Sequence, residues 1–291
     1  MAVTSTVLDA ALCLLLVSAS VVTVATTATD RPTVGDGVDA AAATLATSTT
    51  TVNYTLAPGA RNASGTRVDF PETDGPAFRR TAHGTLVALL ADAAMGRVAV
   101  AGGRLTHARD DLAAGVRRAV QAAVGTARTQ VVAVWRPYPG APVGGRVVVG
   151  DGPPPGTDVH AARVSVDSPS PGGRARIAAA GDRGYGPLAH AVARRTTAAL
   201  FPRRAMELAL GGDYPVSALV RHRYRRAASL TGASLDGALE RGRVTAANRA
   251  LTRALARRFE RDLRREFASP AAAARAVRVD EVRIVVRGWS A

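Results

Sequence analysis

Nineteen consecutive residues, 10–28, carry no charge, and Leu12-Cys13-Leu14-Leu15-Leu16-Val17 forms their core. As a helix the run spans roughly 28 Å, close to the hydrocarbon thickness of a bilayer. Ser18, Ser20, Thr23, Thr26 and Thr27 dilute its second half, and Asp9 and Asp30-Arg31 bracket it with charge. Three readings fit the run: an uncleaved anchor, a secretory signal cut after Thr26-Thr27-Ala28, or a buried helix of a globular domain. The anchor is favoured, because a secretory signal needs a basic stretch before its apolar core and residues 1–9 have none. Asp9, Leu12, Leu14, Leu15, Leu16 and Val17 are then the anchor residues of a segment 1–30.

Orientation has few charges to rest on, since no arginine precedes the run and Arg31 alone follows closely. Asn53-Tyr54-Thr55 and Asn62-Ala63-Ser64 match the N-glycosylation acceptor pattern, which favours a main domain outside the cell. Ser5-Thr6-Val7-Leu8-Asp9, set directly before the apolar run, resembles the start of mature type IV pilins. That resemblance implies a membrane-spanning assembly helix, with Asp9 neutralising the N-terminal amine of a neighbouring subunit. More broadly, segments 5–20, 45–59 and 158–166 are similar to uncharacterised haloarchaeal proteins that accompany pilus and secretion machinery. The partners so implied are the membrane and other envelope, pilus or secretion subunits.

Charge divides the chain unevenly. All 38 basic residues are arginine. Residues 1–171 hold 14 arginines against 13 carboxylates, whereas residues 172–291 hold 24 against 10, a net of +14. Such asymmetry points to a polyanion: nucleic acid, an anionic lipid surface, or an acidic protein or polysaccharide. The absence of lysine excludes a Walker A loop, a pyridoxal-phosphate Schiff base and a kinase-type ATP site. One cysteine, Cys13, excludes an intramolecular disulfide framework and a Cys-rich zinc site.

The remaining chain predicts a mixed α+β domain over 76–291, with a small sheet and several Ala/Arg-rich helices, after a Thr-rich segment and exposed loop at 31–75. Helices are expected over 38–48, 77–95 and 105–124, the last ending at Gly125. Strands are expected over 49–56, 130–135, 147–149 and 159–166, the last two forming a wide hairpin around Pro153-Pro154-Pro155-Gly156. Residues 168–173 read as a linker or long loop. Helices follow over 187–201, 203–210, 215–230 and 243–267, and a closing strand over 276–287 ties the basic half to earlier strands.

No catalytic motif emerges, and no cofactor, metal or small-molecule substrate is expected. Helix 243–267 aligns Leu251, Leu255, Phe259, Leu263 and Phe267 at four-residue spacing, and beside them Arg249, Arg253, Arg257, Arg261 and Arg265 at the same spacing. The second row is either a solvated face or a polyanion-binding ridge. Arg221, Arg223, Arg225 and Arg226, clustered around His222 and Tyr224, form a second candidate grip on phosphate. The glycines of 150–156 follow a valine run, but three prolines cannot open the helix that a dinucleotide site requires. His83, His107, His160, His190 and His222 show no metal-ligand spacing. Asp110-Asp111 fits a helix start, where acids complement the dipole. The leading expectation is a non-enzymatic, single-pass envelope protein of pilin-like or secretion-associated type, with a transmembrane helix before an extracytoplasmic α+β domain. The alternative is a polyanion-binding module, for nucleic acid or acidic lipid, working through the Arg-rich helices.

Overall fold

Valine alternation builds the sheet on which everything else is laid. The computed structural model describes residues 34–125, 127–169, 172–235 and 237–290. In chain order these form α1 (Val34–Thr47), β1 (Thr49–Thr55), α2 (Ala57–Arg61), β2 (Arg79–Thr85), α3 (Leu86–Gly96), β3 (Ala99–Val100), β4 (Gly103–Arg104) and α4 (Asp110–Val124). There follow β5 (Thr129–Trp135), β6 (Val143–Val149), β7 (Val159–Asp167), α5 (Arg174–Gly181), α6 (Tyr185–Leu200), α7 (Arg203–Leu210) and α8 (Val216–Thr231). The last are α9 (Val244–Glu266), α10 (Pro270–Ala276) and β8 (Glu281–Trp289). Strands β1 and β2 pair alone, and the other six form an antiparallel sheet in the order β4-β3-β6-β5-β8-β7.

A period of two sends alternate side chains to opposite faces of this sheet. Val131 lies between Val149 and Val286, Ala133 between Val147 and Ile284, and Trp135 between Gly145 and Val282. All of these are buried beneath α1 and α3. Helix α3 comes so near that a Cβ on Gly145 would sit 2.0 Å from the Ala94 carbonyl oxygen, a separation no side chain tolerates. Beside the sheet, α4 buries Leu112, Val116 and Val120 and ends at Gly125 with φ +64°. Helices α6 and α9 pack lengthwise through Leu188 and Val192 against Leu251, Leu255, Phe259 and Leu263. Tyr138, just after β5, meets Phe259 edge-on at 5.4 Å and joins this helical pair to the end of the sheet.

Several expectations need correcting. A transmembrane helix ahead of an α+β domain is not the architecture found: among the described residues no helix is long and apolar enough to cross a membrane. The most apolar helix, α3, has 11 residues, and the longest, α9, alternates arginine with its apolar positions. The segment 1–30, with Asp9, Leu12, Leu14, Leu15, Leu16 and Val17, lies outside the described residues. The helix expected over 77–95 begins only at Leu86. Arg79–Thr85 instead pairs with β1, and the Thr85 hydroxyl caps α3 by accepting from the Ala88 amide. The hairpin expected between 147–149 and 159–166 does not form, because β5 and β8 lie between β6 and β7. Ser168, at the start of the segment 168–173, is held in place. The Ser168 hydroxyl donates to the Val279 carbonyl at 2.8 Å, and its amide donates to Asp280. Residues 270–276 form α10, so the closing strand starts at Glu281.

Gly145→Ala is expected to cost about 3 kcal/mol, because neither the α3 backbone nor β6 can retreat without opening the core. Urea denaturation checks this as a lower midpoint at an unchanged slope.

Candidate functional site

Helix α9 divides its surface sharply. Leu251, Leu255, Phe259 and Leu263 are buried, and Phe267 is half-buried just past its end. Arg249, Arg253, Arg257, Arg261 and Arg265 are all exposed. Among the described residues the first four have no ion-pair partner, whereas Arg265 meets both Asp262 and Glu266 at 3.5 Å. Glu260 is held by Arg264 at 2.8 Å. Asp262 thus pairs with Arg265 and not with Arg258. Within the row four uncompensated guanidiniums remain, about 6 Å apart along the axis and spanning roughly 18 Å.

A groove of about 740 Å³ runs between α6 and the first half of α9. Its cationic lining is Arg194 of α6, Arg203 at the start of α7, and Arg249 and Arg253 of α9, with His190 of α6 beside them. Thr197 and Thr252 join hydroxyls at 3.1 Å between the two helices, and Asn248 donates to the Phe201 carbonyl at 3.0 Å while accepting from the Tyr224 hydroxyl. A second depression of about 550 Å³ shares His190 and Arg194 and adds Arg176 and Arg183. No aspartate or glutamate lines either one. Arg203 has a partner at the rim, Glu207 at 2.7 Å. The groove therefore offers positive charge and hydroxyls, with no general base pair and no carboxylate that would repel an anion.

The Arg221–Arg226 cluster is spent largely on the fold. His222 and Tyr224 are buried in α8, and the Tyr224 ring lies 4.4 Å from that of Phe201. Arg225 donates to the Arg67 carbonyl and meets Glu240 at 2.9 Å, and Arg226 donates to the Arg104 carbonyl at 3.3 Å. The Arg223 guanidinium sits 5.2 Å from the Phe201 ring centre, and burial together with Arg109 brings its pKa down to about 10. The Nδ1 of His222 is 2.7 Å from the Thr66 hydroxyl. Burial lowers the His222 pKa from its ordinary 6.5, and nearby Arg226 and His107 add to the effect. These groups clamp the loop between α2 and β2 onto α8, and Tyr224 is not free to stack on a base.

Asp110 opens α4 and gathers two arginines and a histidine. Arg104 donates to it at 2.7 Å, Arg97 approaches at 3.3 Å, and the Nδ1 of His107 lies 2.8 Å away. Burial pushes its carboxyl up, but the hydrogen bonds of Arg104 and His107 outweigh burial and leave it below the ordinary carboxylate range. Asp111 accepts from the Thr55 amide at 2.8 Å. This is a structural hub. His83 contacts the Thr51 hydroxyl at 3.0 Å, and among the described residues no three His, Cys, Asp or Glu side chains gather as a metal site. Asn53 accepts from the Thr81 hydroxyl in the β1–β2 pair, and Asn62 follows α2; both are exposed.

A profile described as a family of unknown function, DUF7284, matches residues 8–289. The chain belongs to DUF7284. No curated protein and no solved structure matches it.

The sequence pattern singled out the α9 row but not Arg176, Arg183, His190 or Arg194, which complete the groove. His190 and Arg194 are four apart on the exposed side of α6, opposite Leu188 and Val192. That amphipathic spacing was available to read. What it could not supply is that α6 lies along α9.

Asp110→Asn should destabilise the DUF7284 chain by about 2 kcal/mol in denaturant titrations, since partly buried Arg104 and Arg97 lose their counter-charge. Because the folded pKa of His222 is depressed, its contribution is complete above about pH 6.5 and is lost as pH falls through the folded value. Melting temperature should decline between pH 7.5 and 5, and His222→Gln should flatten that decline.

Proposed function

We propose that the protein binds nucleic acid through its phosphate backbone, in the groove between α6 and α9. The observation that carries this reading is the row Arg249, Arg253, Arg257 and Arg261, exposed at successive turns with no carboxylate among its partners. Like charges at four-residue spacing each cost a helix a few tenths of a kcal/mol, and α9 carries three such pairs in succession. A phosphate chain turns that repulsion into attraction, and the planar guanidinium fork suits phosphate oxygens. The groove continues the positive surface through Arg194 and Arg203 with no carboxylate in its lining. It has no aromatic lining on which bases would stack, which favours duplex over single strand and backbone contact over base reading. The pilin-like or secretion-associated reading rests on the likeness of segments 5–20, 45–59 and 158–166, whereas the exposed arginine row of α9 supports the polyanion reading.

Binding of a fluorescently labelled 25-base-pair duplex, followed by anisotropy across a salt series, tests this. Four phosphate contacts predict a log–log slope of roughly −3 to −4, or about a hundredfold loss between 50 and 200 mM salt. Arg253→Ala with Arg257→Ala should reduce that slope by about two. Absent or salt-insensitive binding overturns the reading, as does a sulfated polysaccharide that displaces the duplex at a hundredth of the duplex's own charge concentration, whereas an unrelated duplex is expected to compete equally.

A further inference from the structure

The sheet has a second face: Val132 and Gln130 of the central strand β5 are buried on it, Gln130 near Gly152, and around them Arg146, Arg163, Arg283 and Arg287 are exposed. The odd-numbered residues of β7 and β8 and the even-numbered residues of β5 and β6 point there, opposite Trp135 and Ile284. In one row the register sets Arg146 beside Val134, Val134 beside Arg283, and Arg283 beside Ser165. In the next, Val148, Val132, Val285 and Arg163 stand side by side; in the third, Gln130, Arg287 and Ala161.

Arg163 is therefore the diagonal neighbour of both Arg283 and Arg287, at roughly 7–8 Å. All four arginines, Arg146 included, are exposed, and among the described residues none has an ion-pair partner. Diagonal cross-strand neighbours lie within reach of long side chains, so these guanidiniums stand close together with no carboxylate directly opposite any of them. The carboxylates of this face, Asp167 and Glu281, sit opposite one another at one end, and Glu281 is engaged by Arg278 at 3.5 Å. At that end a pocket of about 290 Å³ is lined by Arg136, Arg278 and Arg283 together with Val134, Val285 and Tyr138.

Resting on the groove reading above, we propose that this face is a second phosphate-backbone contact, so that one molecule holds two duplex segments at once. The four guanidiniums supply the charge. The pocket beside Arg283 gives a single phosphate group a place with two or three cations around it, while the valines keep the face flat and without base-reading groups. The groove and the sheet face share no residue, so occupation of one leaves the other open.

Bridging separates this inference from the groove reading. A biotinylated 25-base-pair duplex on beads is incubated with the full chain and then with a second, fluorescent duplex of different sequence. Wild type is expected to retain the fluorescent duplex. The variant Arg163→Ala/Arg283→Ala/Arg287→Ala is expected to bind the bead-bound duplex within about threefold of wild type, which also reports that it is folded, yet to lose at least fivefold of the bridging. If this variant bridges as well as wild type, the second contact is overturned while the groove reading stands. Binding without any bridging by wild type overturns it in the same way. If wild type retains no duplex at all, both readings fall.

Discussion

The pairing of β8 between β5 and β7 is the constraint on which the rest of the molecule depends. It makes seven register pairs with β5 and nine with β7, and its Val282, Ile284 and Val286 complete the buried face. Its entry is fixed from both sides. The Val279 carbonyl just before it accepts from the indole of Trp135 at 3.1 Å and from the Ser168 hydroxyl at 2.8 Å. These contacts cross more than a hundred residues, so the sheet closes only when distant parts of the chain have met. The helices α5 to α10 are strung between the two halves of that pairing. Their position against the end of the sheet, through Tyr138 and Phe259, follows from it.

Arginine serves three different purposes in this fold, and their separation is what makes a site recognisable. Arg97 and Arg104 converge on Asp110, and Arg225 and Arg226 tie loops to α8. These are paid with partners inside the molecule. The α9 row and the open sheet face have none, which leaves them for something outside. Composition alone treats all 38 basic residues alike, and the net of +14 in the second half of the chain conceals that the sheet face draws two of its four arginines, Arg146 and Arg163, from the nearly neutral first half.

What the sequence made legible was what depends on neighbours along the chain. The spacing of Leu112, Val116 and Val120 and the glycine after Val124 gave α4 its end, and the four-residue spacing of Leu251 to Leu263 gave α9 its buried side. Over 77–95 the Ala- and Leu-rich composition predicts helix throughout, whereas Arg79–Thr85 takes its strand character from pairing with β1, which lies some thirty residues earlier. The hairpin around the prolines failed for a related reason: proximity in sequence favours pairing of β6 with β7, but β8 offers β7 a better buried face. The candidate site was half legible. The α9 row is periodic and local, whereas the groove exists only because two helices of separate origin lie side by side.

The end of the α9 row has a consequence of its own. After Arg261 the charge stops, because Asp262 and Glu266 neutralise Arg265 at 3.5 Å. On the proposed reading, a polymer laid along the helix meets attraction for a set distance and then none. The two carboxylates fix the footprint, and the protein would measure out a length of its partner without regard to the order of the bases.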